Sequence, residues 1–502
     1  MTPQDAYVEL VRRFHRMAVL GRASAILGWD RSTFMPAGAT EDRAEQLATL
    51  GVMGHELLVA PDMGDLLASA EEGADRFEDW PRANLREMRR HWSHARALDA
   101  ALVERRTRAT AACEMVWRQA KADGDFAALL PTFREVLAVT RQVADAKVAA
   151  LGLAPYDALL DEYEPGSTAA RVSALFEPLR SALPGLLQRV LEVQRRAGAP
   201  LPLPGPFPVE AQRALGERFM RALGFDFERG RLDVSAHPFT GGTPDDVRIT
   251  TRYDEADFSR ALMGVLHETG HALYELGLPA AWRHQPVGAA RGMALHESQS
   301  LLIEMQACRS RDFAIYSAPH LATAFGGSGP AWTADNLYRH QTRVAPGFIR
   351  IDADELTYPL HVVLRFELER ALLSGDLALA DLPGAWNDGM RDLLGIVPPT
   401  DREGCLQDIH WPDGAFGYFP TYTMGALAAA QLFAAALAAE PGIPTAIAAG
   451  DFAPLVGWLR THVHGRGSSA STDAILERAT GAPLGTATFL RHLETRYLAA
   501  YE

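Results

Sequence analysis

The sequence predicts an all-α, mainly helical protein interrupted by one small β region. Alanine and leucine are abundant, while aromatic residues make up only 8% of the 502. Apolar residues recur at three- and four-residue steps along most of the chain, the spacing of one helix face. Strand-like alternation is confined to a single stretch around residue 250.

Residues 4 to about 195 read as successive amphipathic helices, as in the runs 6–17 and 133–143. Trp29-Asp30, followed by Met35-Pro36, predicts a turn within this series. The run 197–208 holds five prolines, which remove donors and fix φ, so it is expected to be an extended loop on one continuous body. A helix over 209–223 leads into the β region. There the runs 231–239 and 246–253 are joined by Gly241-Gly242-Thr243-Pro244, with Val247 and Ile249 on an apolar face and Asp246, Arg248 and Thr250 on a polar one. From Phe258 the chain is expected to be helical to its end. The apolar run 426–439 reads as a buried helix too short to cross a bilayer. The expectation is one domain over 1–502, with a helical part at 1–196 and a dependent part at 209–502.

Composition is ordinary for a globular chain, with 48% hydrophobic and 22% charged residues. A net charge of −14 disfavours nucleic acid and anionic membranes as partners. Cys113, Cys308 and Cys405 are odd in number and widely spaced, which suits a reducing compartment. No basic segment followed by an apolar core opens the sequence, so a cytoplasmic location is expected.

The chemistry-bearing stretch is His267-Glu268-Thr269-Gly270-His271. Residues four apart share a helix face, so both imidazoles can reach one ion, and Glu268 beside them can take a proton from water at that ion. The flanks, 261–266 and 272–274, are apolar. A buried His-Glu-His group needs a partner to offset its desolvation, and a metal is the simplest one. A catalytic zinc usually has three protein ligands. Tyr274 and Gly277 occupy the positions where a metzincin has its glycine and third histidine, which excludes that class. Glu297 in Leu295-His296-Glu297-Ser298 is the best local third ligand. Glu275 and Glu304 are weaker candidates, and His296 is expected to project elsewhere.

These strings, with Trp29-Asp30, His237-Pro238-Phe239, Asp246-Val247-Arg248, Ile349-Arg350-Ile351-Asp352, Gly395-Ile396-Val397-Pro398 and Gln407-Asp408-Ile409-His410-Trp411, resemble in order and spacing the M32 family of metallocarboxypeptidases. The resemblance covers almost the whole chain. It implies an elongated helical body with a deep groove and a small sheet beside the metal. It also implies His267, His271 and Glu297 as ligands, Glu268 as general base, a homodimer, and broad removal of single C-terminal residues. Zinc is expected, with cobalt or manganese as possible substitutes. Pro359 departs from the family pattern, in which a polar residue is more usual.

An exopeptidase acting on peptides with a free C-terminus must hold a carboxylate, which a bidentate arginine does best. Arg350 is the first candidate, although Asp352 and Asp354 nearby could occupy it. Arg248 is the second, with a structural pair to Asp246 as its plainer role. His410 and Tyr422, the latter preferred over Tyr418, could donate to a developing oxyanion, or the aromatic group could simply pack. His237 could touch substrate or cap a strand. Two competing readings are a helical zinc oligopeptidase or dipeptidyl carboxypeptidase, and a non-catalytic peptide-binding scaffold.

Overall fold

In the computed structural model, which describes residues 1–235 and 238–498, the chain is built from helices with one three-stranded sheet. The first helix, Pro3–Ser32, starts at a capping box in which Thr2 accepts from the Asp5 amide and Asp5 reaches back to Thr2. It runs through Trp29-Asp30, so the expected turn falls later, where the Asp30 carbonyl accepts from the amides of Thr33, Phe34 and Met35. The proline-rich run stays non-helical between helices Ala169–Ala197 and Val209–Ala222. One large apolar cluster draws on both sides of it, from Phe133 and Leu175 to Leu266, Leu273 and Leu427.

The sheet differs from the two runs expected. β1 (Gly230–Val234), β2 (Phe239–Thr243) and β3 (Asp246–Thr251) lie in the order β1-β3-β2, with β1 parallel and β2 antiparallel to β3. The single run 231–239 is thus two strands on opposite edges of β3, divided before Pro238, which has no amide to donate. Thr250, expected on an exposed polar face, is buried, and its hydroxyl accepts from Ser235 and from the Phe239 amide. Val247 and Ile249 pack on Val265, Ala272 and Leu276, which sets the sheet against the HExxH helix.

That helix, Phe258–Gly277, is capped by Asp257, whose side chain accepts from the Ser259 amide. It packs on helix Met293–Leu301, which in turn packs on helix Pro420–Ala439. Two glycines permit this stack. A Cβ on Gly270 would stand 2.4 Å from the Gln299 carbonyl oxygen and 2.6 Å from the Ser300 Cα. A Cβ on Gly425 would stand 2.7 Å from the Glu297 Cβ. The Pro420–Ala439 helix is longer than the run read from sequence, and at 20 residues it is long and apolar enough, by length and composition, to cross a membrane. Most of it is instead buried against protein, as a core helix is.

The chain is not helical throughout after Phe258. Between Leu394 and Pro420 it forms no helix or strand, in a stretch punctuated by Gly395, Pro398, Pro399 and Pro412. Buried polar contacts hold this segment instead. The Gln407 amide donates to the carbonyls of Phe348, Glu403 and Gly404, and the Trp117 indole donates to the Leu406 carbonyl. Pro359 lies at the start of helix Tyr358–Ser374, where its missing amide would have no helical partner in any case.

Candidate metal centre and active site

Helical spacing puts His267 and His271 one turn apart on the Phe258–Gly277 helix, and the neighbouring helix brings Glu297 to both. Ligand atoms of the three lie within 4.8 Å of one another. Glu297 Oε2 is 3.5 Å from His271 Nε2 and 4.0 Å from His267 Nε2.

The outer partners fix which nitrogen each ring presents. His267 Nδ1 lies 3.0 Å from Glu304 Oε2, and an ionised carboxylate there can only accept, so Nδ1 carries a proton and Nε2 is the nitrogen left to serve a cation. Arg309 holds Glu304 from behind at 2.7 Å. Glu304 stands on a π-helical turn, Leu302–Ala307, that continues the Glu297 helix; such turns are frequent at functional sites. On the other side, Glu275 Oε1 is 2.9 Å from His296 Nε2, and His296 Nδ1 is 2.7 Å from His271 Nδ1. If His296 donates to Glu275, its Nδ1 accepts from His271, and His271 Nε2 is a lone pair facing Glu297. Two imidazoles and a carboxylate, each tautomer set by an outer partner, make a donor set that fits a divalent ion.

This corrects the reading of His296, which does not project elsewhere but buttresses His271. Glu275 and Glu304, the weaker ligand candidates, sit behind the histidines rather than among the ligands. Burial alone would lower the pKa of His267, yet Glu304 and Glu297 outweigh it and raise it to about 10, so a metal ion binding at Nε2 would displace a proton from that nitrogen. Burial keeps His271 below its ordinary value. Glu297, which burial would raise, is held below the usual carboxylate range by the two histidines.

Glu268 is buried beside the histidines. The Thr240 hydroxyl, on β2, lies 2.6 Å from Glu268 Oε2 and 3.0 Å from its carbonyl oxygen, so the sheet aims this carboxylate. Thr240 has no signature in the sequence, because the contact exists only once β2 lies along the helix.

The carboxylate-anchor candidates fare differently. Arg248 makes two bonds to Asp246, of 2.9 and 2.6 Å, and lies over the Trp29 ring, which is its plainer structural role. Arg350 is buried and already has a resident carboxylate. Its Nε and Nη2 lie 3.2 and 2.9 Å from Asp408 Oδ1, and its Nη1 donates to the Tyr358 hydroxyl at 3.1 Å. The partner is not Asp352 or Asp354. Asp352 pairs with Arg260, and Asp354 accepts backbone amides of Ala345, Leu356 and Thr357. Asp408 is shared with Arg365, 2.6 Å away, so one carboxylate faces two buried guanidiniums and leaves one positive charge in excess.

His410 and Tyr422 meet on the same wall, with His410 Nε2 3.0 Å from the Tyr422 hydroxyl and the Arg350 guanidinium 4.7 Å from the Tyr422 ring. Burial, reinforced by Arg350, lowers the His410 pKa to about 3, so the ring is neutral. Burial raises Tyr422 to about 12, so its hydroxyl keeps a proton to donate. Tyr418 packs edge-on against Tyr422 and Tyr163. Glu369 fastens this wall. It accepts from the Trp411 indole at 3.1 Å and the Gly417 amide at 3.2 Å, one residue from His410 and from Tyr418 respectively. His237 lies outside the described residues.

A family model described as Carboxypeptidase Taq (M32) metallopeptidase matches residues 9–497. Thermostable carboxypeptidase 1 of Thermus thermophilus is 39% identical over 513 aligned residues, covering 100% of each chain. Its counterpart in Pyrococcus furiosus is 35% identical over 98% of both chains. Among solved structures, Trypanosoma cruzi metallocarboxypeptidase 1 matches with a TM-score of 0.96 and 43% identity, over 98% of this chain and 99% of that one. The M32 carboxypeptidase from Deinococcus radiodurans R1 matches at 0.93 with 37% identity, over 99% of both.

Proposed function

The chain belongs to the M32 metallocarboxypeptidase family, and from that premise we propose a zinc-dependent enzyme of broad specificity that releases single C-terminal residues from peptides. The observation that carries the reading is the convergence of His267, His271 and Glu297, with Glu268 on the same helix. His267, His271 and Glu297 would hold the ion, which supplies polarisation of the scissile carbonyl and a lowered water pKa. Glu268, aimed by Thr240, takes the proton of the attacking water and delivers it to the leaving amine. Tyr422, supported by a neutral His410, donates to the oxyanion that develops on the carbonyl. Arg350 meets the terminal carboxylate. Its three resident bonds leave a hydrogen on Nη1 and another on Nη2, a fork free to engage a second carboxylate. A cytoplasmic homodimer completes the proposal, and three buried, free cysteines suit that compartment.

The test combines metal analysis with peptides offered as free acids and as C-terminal amides. Stoichiometric zinc and a strong preference for the free acids are expected. His271→Ala should lose both metal and turnover while keeping its helical spectrum. Equal cleavage of acids and amides would favour an oligopeptidase.

A further inference from the structure

Away from the metal centre, three guanidiniums converge on one carboxylate. Asp245, in the turn between β2 and β3, pairs with Arg283, lies 3.2 Å from Arg229 and 3.8 Å from Arg22. Among the described residues, no other carboxylate comes within 4.0 Å of these arginines. The elements are distant in sequence: Arg22 is on the first helix, Arg229 precedes β1, and Arg283 follows the HExxH helix. Arg22 also donates to the Arg283 carbonyl at 2.6 Å, and Arg229 to the Pro244 carbonyl at 2.8 Å, so the groups are held rather than free to swing apart. His284 packs on His15 beside them, with centroids 4.5 Å apart and the rings tilted by 51°. The buried Arg283 Nε and His284 Nδ1 have no hydrogen-bond partner.

Three positive charges meet one carboxylate within 4.0 Å, with Glu275 acting on Arg22 from further away, so the partly desolvated corner keeps an excess of positive charge. Arg22 and Arg283 are 22% and 13% exposed, so screening by water is incomplete. Burial lowers the pKa of both arginines, and Arg229 and Arg22 lower that of Arg283 further. Asp245 itself is half exposed, which leaves the corner open to solvent. Fixed arginine forks with unused donors are the chemistry that recognises oxyanions.

We propose that Arg22, Arg229 and Arg283 form a binding site for a small oxyanion, phosphate or carboxylate, which ties the first helix to the sheet. Among the described residues none of the three arginines is hydrogen-bonded or ion-paired to His267, Glu268, His271 or Glu297, so the site stands whether or not the proposed peptidase mechanism is right.

Isothermal titration of the metal-loaded protein with inorganic phosphate, at constant ionic strength, tests it. One site per chain is expected. Arg283→Gln should weaken binding about tenfold or more, which is about 1.4 kcal/mol. Asp245→Asn removes the competing carboxylate and should tighten binding, a gain that a purely structural role would not produce. Phosphate binding unchanged in both variants would place the anion at the metal centre and overturn the proposal. So would a lack of phosphate binding by the wild type and by Asp245→Asn alike. Repeating the titration with a glutamate-rich peptide and its glutamine counterpart separates the sources. Competition by the glutamate peptide alone assigns the site to acidic side chains of a substrate, and competition by neither assigns it to a free anion.

Discussion

The metal-facing cluster and the Arg350 wall are both built from buried charge, yet they are organised in opposite ways. Around the metal centre the outer partners aim the ligands inward: Glu304 and the Glu275–His296 pair turn the Nε2 atoms of two imidazoles toward Glu297. On the other wall the arginine is pulled outward by Asp408, which Arg365 shares. The first region is prepared to receive a cation. The second sets two guanidiniums against one carboxylate, which leaves one positive charge in excess, and an incoming carboxylate joins that existing group. Residues that look equally functional in sequence therefore stand in different energetic positions.

The comparison breaks most visibly at Glu268. Glu268→Gln keeps the bond from Thr240 but cannot take a proton, so turnover should fall by about 10²- to 10⁴-fold with metal content unchanged. Steady-state kinetics beside metal analysis checks this, and near-normal turnover would remove the general-base role.

A smaller effect, confined to one class of substrate, is expected on the arginine wall. Arg350→Ala should lose roughly 30- to 1,000-fold in kcat/KM on free-acid peptides, about 2–4 kcal/mol, and little on amides. Arg365→Ala, which touches the same Asp408 from the fully buried side, should instead lower the unfolding midpoint and affect both substrates alike. If the two variants behave identically, Arg350 is structural.

Smaller still is the outer sphere. Glu304→Gln leaves a side chain that can donate toward His267, so the preferred tautomer is no longer enforced. Competition with a chelator should show metal affinity reduced about 10- to 100-fold, with less effect on turnover of the loaded enzyme.

The least effect is on stability. Burial raises the Glu369 carboxyl from an ordinary 4.5 to about 7. Between those values the folded chain keeps a proton that the unfolded chain loses, so unfolding free energy declines as pH rises and levels off above about 7. Glu164 is raised to about 7 for the same reason and adds to the decline. Glu369→Gln should flatten its share, on the order of 1–3 kcal/mol, in denaturant titrations at pH 5 and pH 8. An unchanged slope would show that this carboxyl ionises normally.

What could be read from the sequence divides along the same line. His267, Glu268 and His271 were legible because helical periodicity alone brings them together, and Glu297 because it stands on a nearby helix in a string shared with the M32 family. His296 was misjudged because its direction depends on how the two helices pack, not on its place in one of them. Asp408 was invisible as the partner of Arg350, since 58 residues separate them and the intervening chain includes a stretch with no periodic signal. The sheet was found, but its strand order was not: a run of β-favouring residues does not say which edge it joins.

The glycines at 270 and 425 carry a last consequence. Because main chain meets main chain at Gly270, the gap between the helices of His271 and Glu297 is a fixed dimension, set like the throat of a gauge rather than by side chains that can repack. Gly425 closes the gauge from behind Glu297. A methyl group at either glycine would therefore re-machine the throat without altering a single ligand.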